Sequence, residues 1–347
     1  MFAPLLILML VCLWKIKFNF SKTGFGDYLQ KDKTESVKGL FILIVFLSHF
    51  NKYVSYSWTP DVYAFKIIGV IGQAMVIPFL VYSGFGVMES IKRKGISYVK
   101  GFPKNRILKV LLIFEFVNVF KILVKFILNG FVELEFIILS SITWLDWYVF
   151  AILLLYFFTY FAYLIFKDKK NYALLLISVI VLTVLYVTTL YLAGTPRFYY
   201  DTVLCYVIGL IWSIYKDKLD NFFAKNYVFY PVVIVLAAIC AVSQIFLKEY
   251  KIAVIITYLV VAVLLLLITK KVQINNGVLS WCGRHLFDIY LVHRIPMDIF
   301  FALGINEISN YLYFGLSAVA TFVLVLVLDL TINRWIKRLS KPKTIKE

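Results

Sequence analysis

In the segment "ESVKGLFILIVFLSHFNKY", residues 35–53, two side chains able to do chemistry, Lys38 and His49, stand eleven residues apart. Eleven residues is close to three helical turns and about 16 Å along a helix axis, so both groups share one helix face. A lysine at the lip of an apolar helix can hold a phosphate as a point charge. A neutral imidazole deeper in can take a proton from a hydroxyl. A snorkelling lysine and a histidine bonded to a neighbouring helix would give the same spacing. The other polar groups of the apolar segments therefore have to be weighed with them.

Glu115 stands a turn or two beyond Lys109, and Asp288 stands four residues after Arg284. Either carboxylate could orient a base as the third member of a relay. At helical spacing Arg284 and Asp288 read first as a local ion pair that satisfies a buried charge. His293, in "YLVHRIP", lies at a depth comparable with His49 and just before Pro296, which predicts a kink. His285 lies nearer the same lip as Lys38 and reads as structural. Arg197 and Tyr199 fall in "GTPRFYYD", whose tyrosines could stack on a sugar or belong to an interfacial aromatic belt.

These groups must be held by membrane helices. The 347 residues are 62% hydrophobic and 16% charged, and mean hydropathy is +0.88, well beyond a soluble domain. Cys12, Cys205, Cys240 and Cys282 are scattered through apolar runs, which argues against a disulfide framework or a metal site and for helix packing. At about 20 residues per span, ten core segments are expected: 37–56, 67–90, 108–128, 146–166, 172–192, 201–215, 228–247, 252–269, 280–303 and 312–333. A short hydrophobic helix, without the basic start or small-residue cleavage site of a signal peptide, precedes them. The expected fold is an all-α integral membrane protein, with a hydrophobic helix and basic linker over 1–32, a membrane domain over 33–335 and a basic tail over 336–347.

Lys and Arg set the orientation. Alternate connections hold 27 basic residues on one side, from 15–38 to 334–346, against seven on the other. The basic side is expected to be cytoplasmic, with the C-terminus, in a multi-pass protein of the cell membrane. The net charge of +17 then reflects topology and anionic lipid headgroups rather than nucleic-acid binding.

Several motifs, in order, resemble those of the membrane acyltransferase-3 family of integral-membrane sugar O-acyltransferases. "VKGLFILIVFLSH" is similar to the family's Arg, ten residues, His signature, with Lys38 in place of the arginine. "IPFLVYSGFGVM" resembles its aromatic run ending in Ser-Gly, here Ser83 and Gly84. "NRILKVLL" resembles its paired-Arg element, with Arg106 and Lys109 at the basic positions. "WYVFAILLLY" and "LSWCGRHLFDIYLVHRIP" are similar to its Trp-aromatic helix start and its late Gly-basic, Tyr-Leu, His, Pro run, which places His293 on the late His. Leu112 stands where a Pro is common and Leu286 where a Ser is frequent.

The resemblance implies transfer of an acyl group, usually acetyl, from cytoplasmic acetyl-CoA to a hydroxyl of a cell-surface polysaccharide or its lipid-linked precursor, with no metal. Lys38, Arg106, Lys109 and Ser83 would form the donor mouth, and His49 would be base or transient acyl carrier. His293, Glu115 and Asp288 are the further catalytic candidates, with Arg197 and Tyr199 on the acceptor side. A multi-pass transporter or a glycan polymerase of the envelope is the alternative; no related halves and no long Arg-rich outer loop are visible.

Overall fold

The computed structural model describes residues 2–56, 58–134, 146–166 and 172–336. The expected inner connection at 167–170 and the basic tail from 337 onward lie outside the described residues. In chain order the elements begin with α1 (Phe2–Leu13), β1 (Ile16–Phe18), α2 (Lys31–Phe50), α3 (Thr59–Ile71), α4 (Ile77–Lys94), α5 (Ile96–Lys100) and α6 (Lys109–Asn129). Next come α7 (Trp147–Phe166), α8 (Ala173–Leu192), α9 (Cys205–Phe223), α10 (Asn226–Val242) and α11 (Lys251–Lys271). The last part holds β2 (Val272–Ile274), α12 (Gly277–Arg284), α13 (Leu286–Val292), α14 (Arg294–Ala302), α15 (Ile305–Ile308) and α16 (Asn310–Leu328).

The fold is almost all-α, as expected of apolar segments that must satisfy their own backbone groups in lipid. Among the described residues, six helical stretches are long and apolar enough to cross a membrane: Gly72–Lys94, Trp147–Phe166, Ala173–Leu192, Asn226–Leu247, Lys251–Lys271 and Asn310–Ile336. The expectation of about ten is not confirmed by that criterion. The remaining segments fall on elements that are charged or broken. α2 carries Lys31, Asp32, Lys33, Glu35 and Lys38; α6 carries Lys109, Glu115, Lys121 and Lys125; and α9 runs on through Lys216, Asp217, Lys218 and Asp220. The expected single span at 280–303 is three short helices, α12 to α14. At twelve residues α1 is about 18 Å long, short of a bilayer core.

The linker after α1 departs from the all-α expectation. β1 pairs antiparallel with β2, with Lys17 opposite Gln273. Beyond the ribbon the linker stays docked. Gly24 adopts φ +66°, a conformation glycine takes without steric cost, and the Phe25 N–H donates to the Lys270 carbonyl at 2.8 Å. Tyr28 is fully buried; its hydroxyl donates to Asp220 Oδ1 at 2.9 Å and accepts from Trp212 Nε1 at 2.8 Å. Asp220 also pairs with Lys216 at 2.6 Å and Lys270 at 2.9 Å.

Two glycine contacts set the bundle. A Cβ on Gly39 of α2 would stand 1.8 Å from the Leu279 carbonyl oxygen, and one on Gly283 of α12 would stand 1.8 Å from that of Glu35. Gly84 of α4 and Gly209 of α9 approach each other's helices in the same reciprocal way, at 2.1 Å and 2.0 Å. Small residues let membrane helices meet backbone to backbone. The α2–α12 crossing matters most, because α2 ends in His49 and the broken run that starts with α12 reaches His293.

Candidate active site

His49 occupies the last turn of α2, and His293 joins α13 to α14. The break has a local cause: Pro296 has no N–H to offer the carbonyl of residue 292, and its ring crowds that carbonyl. His293 is 1% exposed. Its Nδ1 lies 3.0 Å from the carbonyl oxygen of Ile289 and 2.9 Å from that of Tyr290. Its Nε2 lies 2.5 Å from Nδ1 of His49, and the two rings stack with centroids 4.8 Å apart.

Donor and acceptor roles follow from these neighbours. Carbonyl oxygens only accept, so Nδ1 of His293 carries its hydrogen and, in the neutral ring, Nε2 accepts. Nδ1 of His49 must then donate, which leaves the lone pair of that ring on Nε2. Among the described residues no protein group is hydrogen-bonded to this nitrogen. His49 is thus held in the tautomer that a base or an acyl carrier needs.

Both histidines line a cavity of about 1030 Å³. Its wall draws on the end of α2, one face of α6, the α13–α14 junction, the 197–201 segment and the residues between α10 and α11. Arg197 and Tyr199 belong to it. The Arg197 Nη1 donates to the Lys248 carbonyl at 2.9 Å, and the Phe198 and Tyr199 rings stack at 4.6 Å. Trp147 closes on Phe198 at 6.5 Å. Three carboxylates line the cavity, and each is held by a neutral donor. Tyr290 donates to Asp146 at 2.9 Å, Gln73 to Asp201 at 2.9 Å and Tyr53 to Asp298 at 2.5 Å.

Lys38 and Arg106 do not line this cavity. Lys38 is half-buried on α2, within electrostatic reach of Arg106. Arg106 lies among Tyr98, Tyr156 and Tyr206, its Nε donating to the Tyr98 hydroxyl at 3.1 Å. Ser83 and Tyr156 share a hydroxyl hydrogen bond of 2.9 Å, which ties Ser83 to the same group, and Lys109 opens α6.

Two catalytic candidates are not brought to the histidine pair. Glu115 lies on α6 a turn from Asn118, and only Asn118 of the two lines the cavity. Asp288 accepts from Asn333 at 3.0 Å and lies 3.4 Å from His285 Nδ1. The expected Arg284–Asp288 ion pair is replaced by Arg284 with Glu35 at 3.4 Å. The reason is the break at His285, whose φ of −99° and ψ of 20° disrupt the helical phase that would have aligned residues 284 and 288. His285 packs on Trp281 with ring centroids 4.5 Å apart.

The wall also holds Lys52, Lys121, Lys125 and Lys248, which counted in the sequence only toward the seven outer basic residues, and Arg294, which fell inside an expected span. A signal for part of this set was present. Asn118, Lys121 and Lys125 recur at three- and four-residue intervals in an apolar helix, which is one polar stripe.

No curated protein and no solved structure matches the chain. Among protein families, the model described as an acyltransferase domain, Acyl_transf_3, matches residues 34–330, from the start of α2 into the last helix. A match over most of the chain, on a helical membrane fold with a histidine pair in a cavity, fixes the assignment: the chain belongs to the membrane acyltransferase-3 family.

Proposed function

We propose that the protein transfers an acyl group, most simply acetyl, from cytoplasmic acyl-CoA to a hydroxyl of a cell-surface or exported glycan. The observation that supports this most is the His49–His293 pair, whose available Nε2 belongs to a residue of the cavity wall. Lys38, Arg106 and Lys109 hold the donor phosphates at the cytoplasmic end. Lys38 is separated from His49 by about 16 Å of helix, a gap for the extended pantetheine arm of the thioester to bridge. The glycan enters the cavity from the outer side, where Trp147, Phe198 and Tyr199 offer ring faces to sugars.

In the direct route, Nε2 of His49 takes the hydroxyl proton as the oxygen attacks the thioester carbonyl. The carbon–sulfur bond breaks, and the imidazolium returns the proton to the departing thiolate, giving an ester and free CoA thiol. In the covalent route the same lone pair attacks the thioester carbonyl and the carbon–sulfur bond breaks to release CoA thiolate; the hydroxyl then attacks the acyl-imidazolium, the carbon–nitrogen bond breaks, and the hydroxyl proton passes to the thiolate, giving the ester and free CoA thiol. His293 serves both by accepting from Nδ1–H, which steadies the ring and the positive charge that develops on it.

Sealed vesicles of known sidedness test the reading. Labelled acetyl-CoA offered to the cytoplasmic face should label the glycan, and offered to the outer face alone it should not. Absence of label in any glycan would refute the proposed transfer, and labelling only from the outer face would reverse its direction.

A further inference from the structure

We propose that the acceptor is a polyanionic glycan, carrying phosphodiester or carboxylate groups along its chain, and that the cavity selects it by charge. The inference rests on the cavity being the acceptor entrance, as argued above. Of the seven basic residues counted to the outer side, Lys52, Lys121, Lys125, Arg197 and Lys248 line the cavity and Lys66 and Lys251 do not; Arg294, inside the broken run, adds a sixth cation to the lining. Asp61, Glu133, Glu249 and Glu307 lie outside the lining, which contains only Asp146, Asp201 and Asp298 among the described carboxylates. Cations are thus concentrated in the cavity rather than spread over that end of the protein.

Five of those cations form no direct ion pair within the cavity, although Lys121 and Arg294 lie within electrostatic reach of Asp146 and Asp298. The three lining carboxylates are bonded to Tyr290, Gln73 and Tyr53, all neutral. Among the described residues no ion pair joins Lys52, Lys121, Arg197, Lys248 or Arg294 to a carboxylate. Topology gives no reason for this, since the positive-inside rule disfavours basic residues at the outer face. A cleft lined by one sign of charge concentrates ligands of the other. Anionic groups between the sugars would meet Lys121 and Arg294 close to the histidines, while the rings pack on Phe198 and Tyr199. A neutral polysaccharide would use the aromatic platform and make no use of the excess positive charge.

Binding without donor tests this separately from catalysis. Full-length protein in detergent is titrated with fluorescently labelled poly(glycerol phosphate), polygalacturonate and dextran at two salt concentrations. At least one anionic polymer should bind about tenfold more tightly than dextran and lose affinity as salt rises, and the order of the two separates phosphodiester from carboxylate recognition. A Lys52→Gln, Lys121→Gln, Lys248→Gln variant should weaken anionic-polymer binding about tenfold, with CoA binding unchanged. A Lys66→Gln, Lys251→Gln variant should bind as the parent does. Should the triple variant fail to fold, Lys121→Gln alone should weaken binding about threefold. Dextran binding as tightly as both anionic polymers would overturn the inference, as would a loss of CoA affinity in the triple variant, which would assign the cations to the donor. Tight anionic-polymer binding with no acetyl transfer would refute the proposed reaction and leave the charge selection standing.

Discussion

Nε2 of His293 lies 2.5 Å from Nδ1 of His49, while Nδ1 of His293 faces the carbonyls of Ile289 and Tyr290. The backbone of a broken helix therefore fixes the tautomer of a histidine on a different helix.

His293 is on this evidence a positioning residue. His293→Ala should lower kcat about 10²-fold with little change in KM for acyl-CoA. His293→Gln should recover part of the loss, because its side-chain oxygen can accept from Nδ1–H of His49. A purely structural role would lower both variants in proportion to their folded abundance, and kinetics normalised to folded protein separates the two.

The Gly39–Gly283 crossing should resist any side chain. Gly39→Ala would put a methyl group against the Leu279 carbonyl and push α2 away from α12, costing about 1–3 kcal/mol. The melting temperature in detergent and kcat should fall together, because the same displacement moves His49 off His293. An unchanged melting temperature would contradict the close approach.

Lys38 should act on donor binding. Lys38→Arg should preserve or improve activity, since a guanidinium grips phosphate bidentately, whereas Lys38→Ala should chiefly raise KM for acetyl-CoA. A fall in kcat at unchanged KM would instead put Lys38 in the chemical step.

The Asp220 cluster predicts a pH dependence of stability. Burial pushes the Asp220 carboxyl up, but hydrogen bonds from Lys216, Lys270 and Tyr28 outweigh it and hold the group below the usual carboxylate range. The folded value is thus depressed, so the contribution is complete at neutral pH and is lost as pH falls below about 4, through the folded value. Asp220→Asn should lower stability at neutral pH by about 3 kcal/mol, because Lys270 is left buried beside an uncharged partner. It should also flatten the acid limb of a plot of melting temperature against pH.

The sequence made some of this legible and hid the rest for physical reasons. The Lys38–His49 spacing lies within one continuous helix, so periodicity alone placed both groups. The comparable depth of His293 was visible because helix length converts directly into depth. Which face a residue presents was not visible. Glu115 and Asp288 have suitable chemistry, but helix packing and the turn at His285 direct them elsewhere. The β1–β2 ribbon was hidden for a different reason. Strands of three residues carry almost no pattern, and their partners are some 250 positions apart. The meeting of Lys121 with Arg294 was hidden as well, because only the folded chain brings α6 against the α13–α14 junction.

The most direct measurement is acetyl transfer by membranes containing equal amounts of the parent protein and of His49→Ala, given labelled acetyl-CoA. The mechanism predicts label in the extracted glycan from the parent and none above background from the variant, because the substitution removes the ring that carries the available Nε2 lone pair. Near-normal labelling by His49→Ala at equal abundance would contradict it.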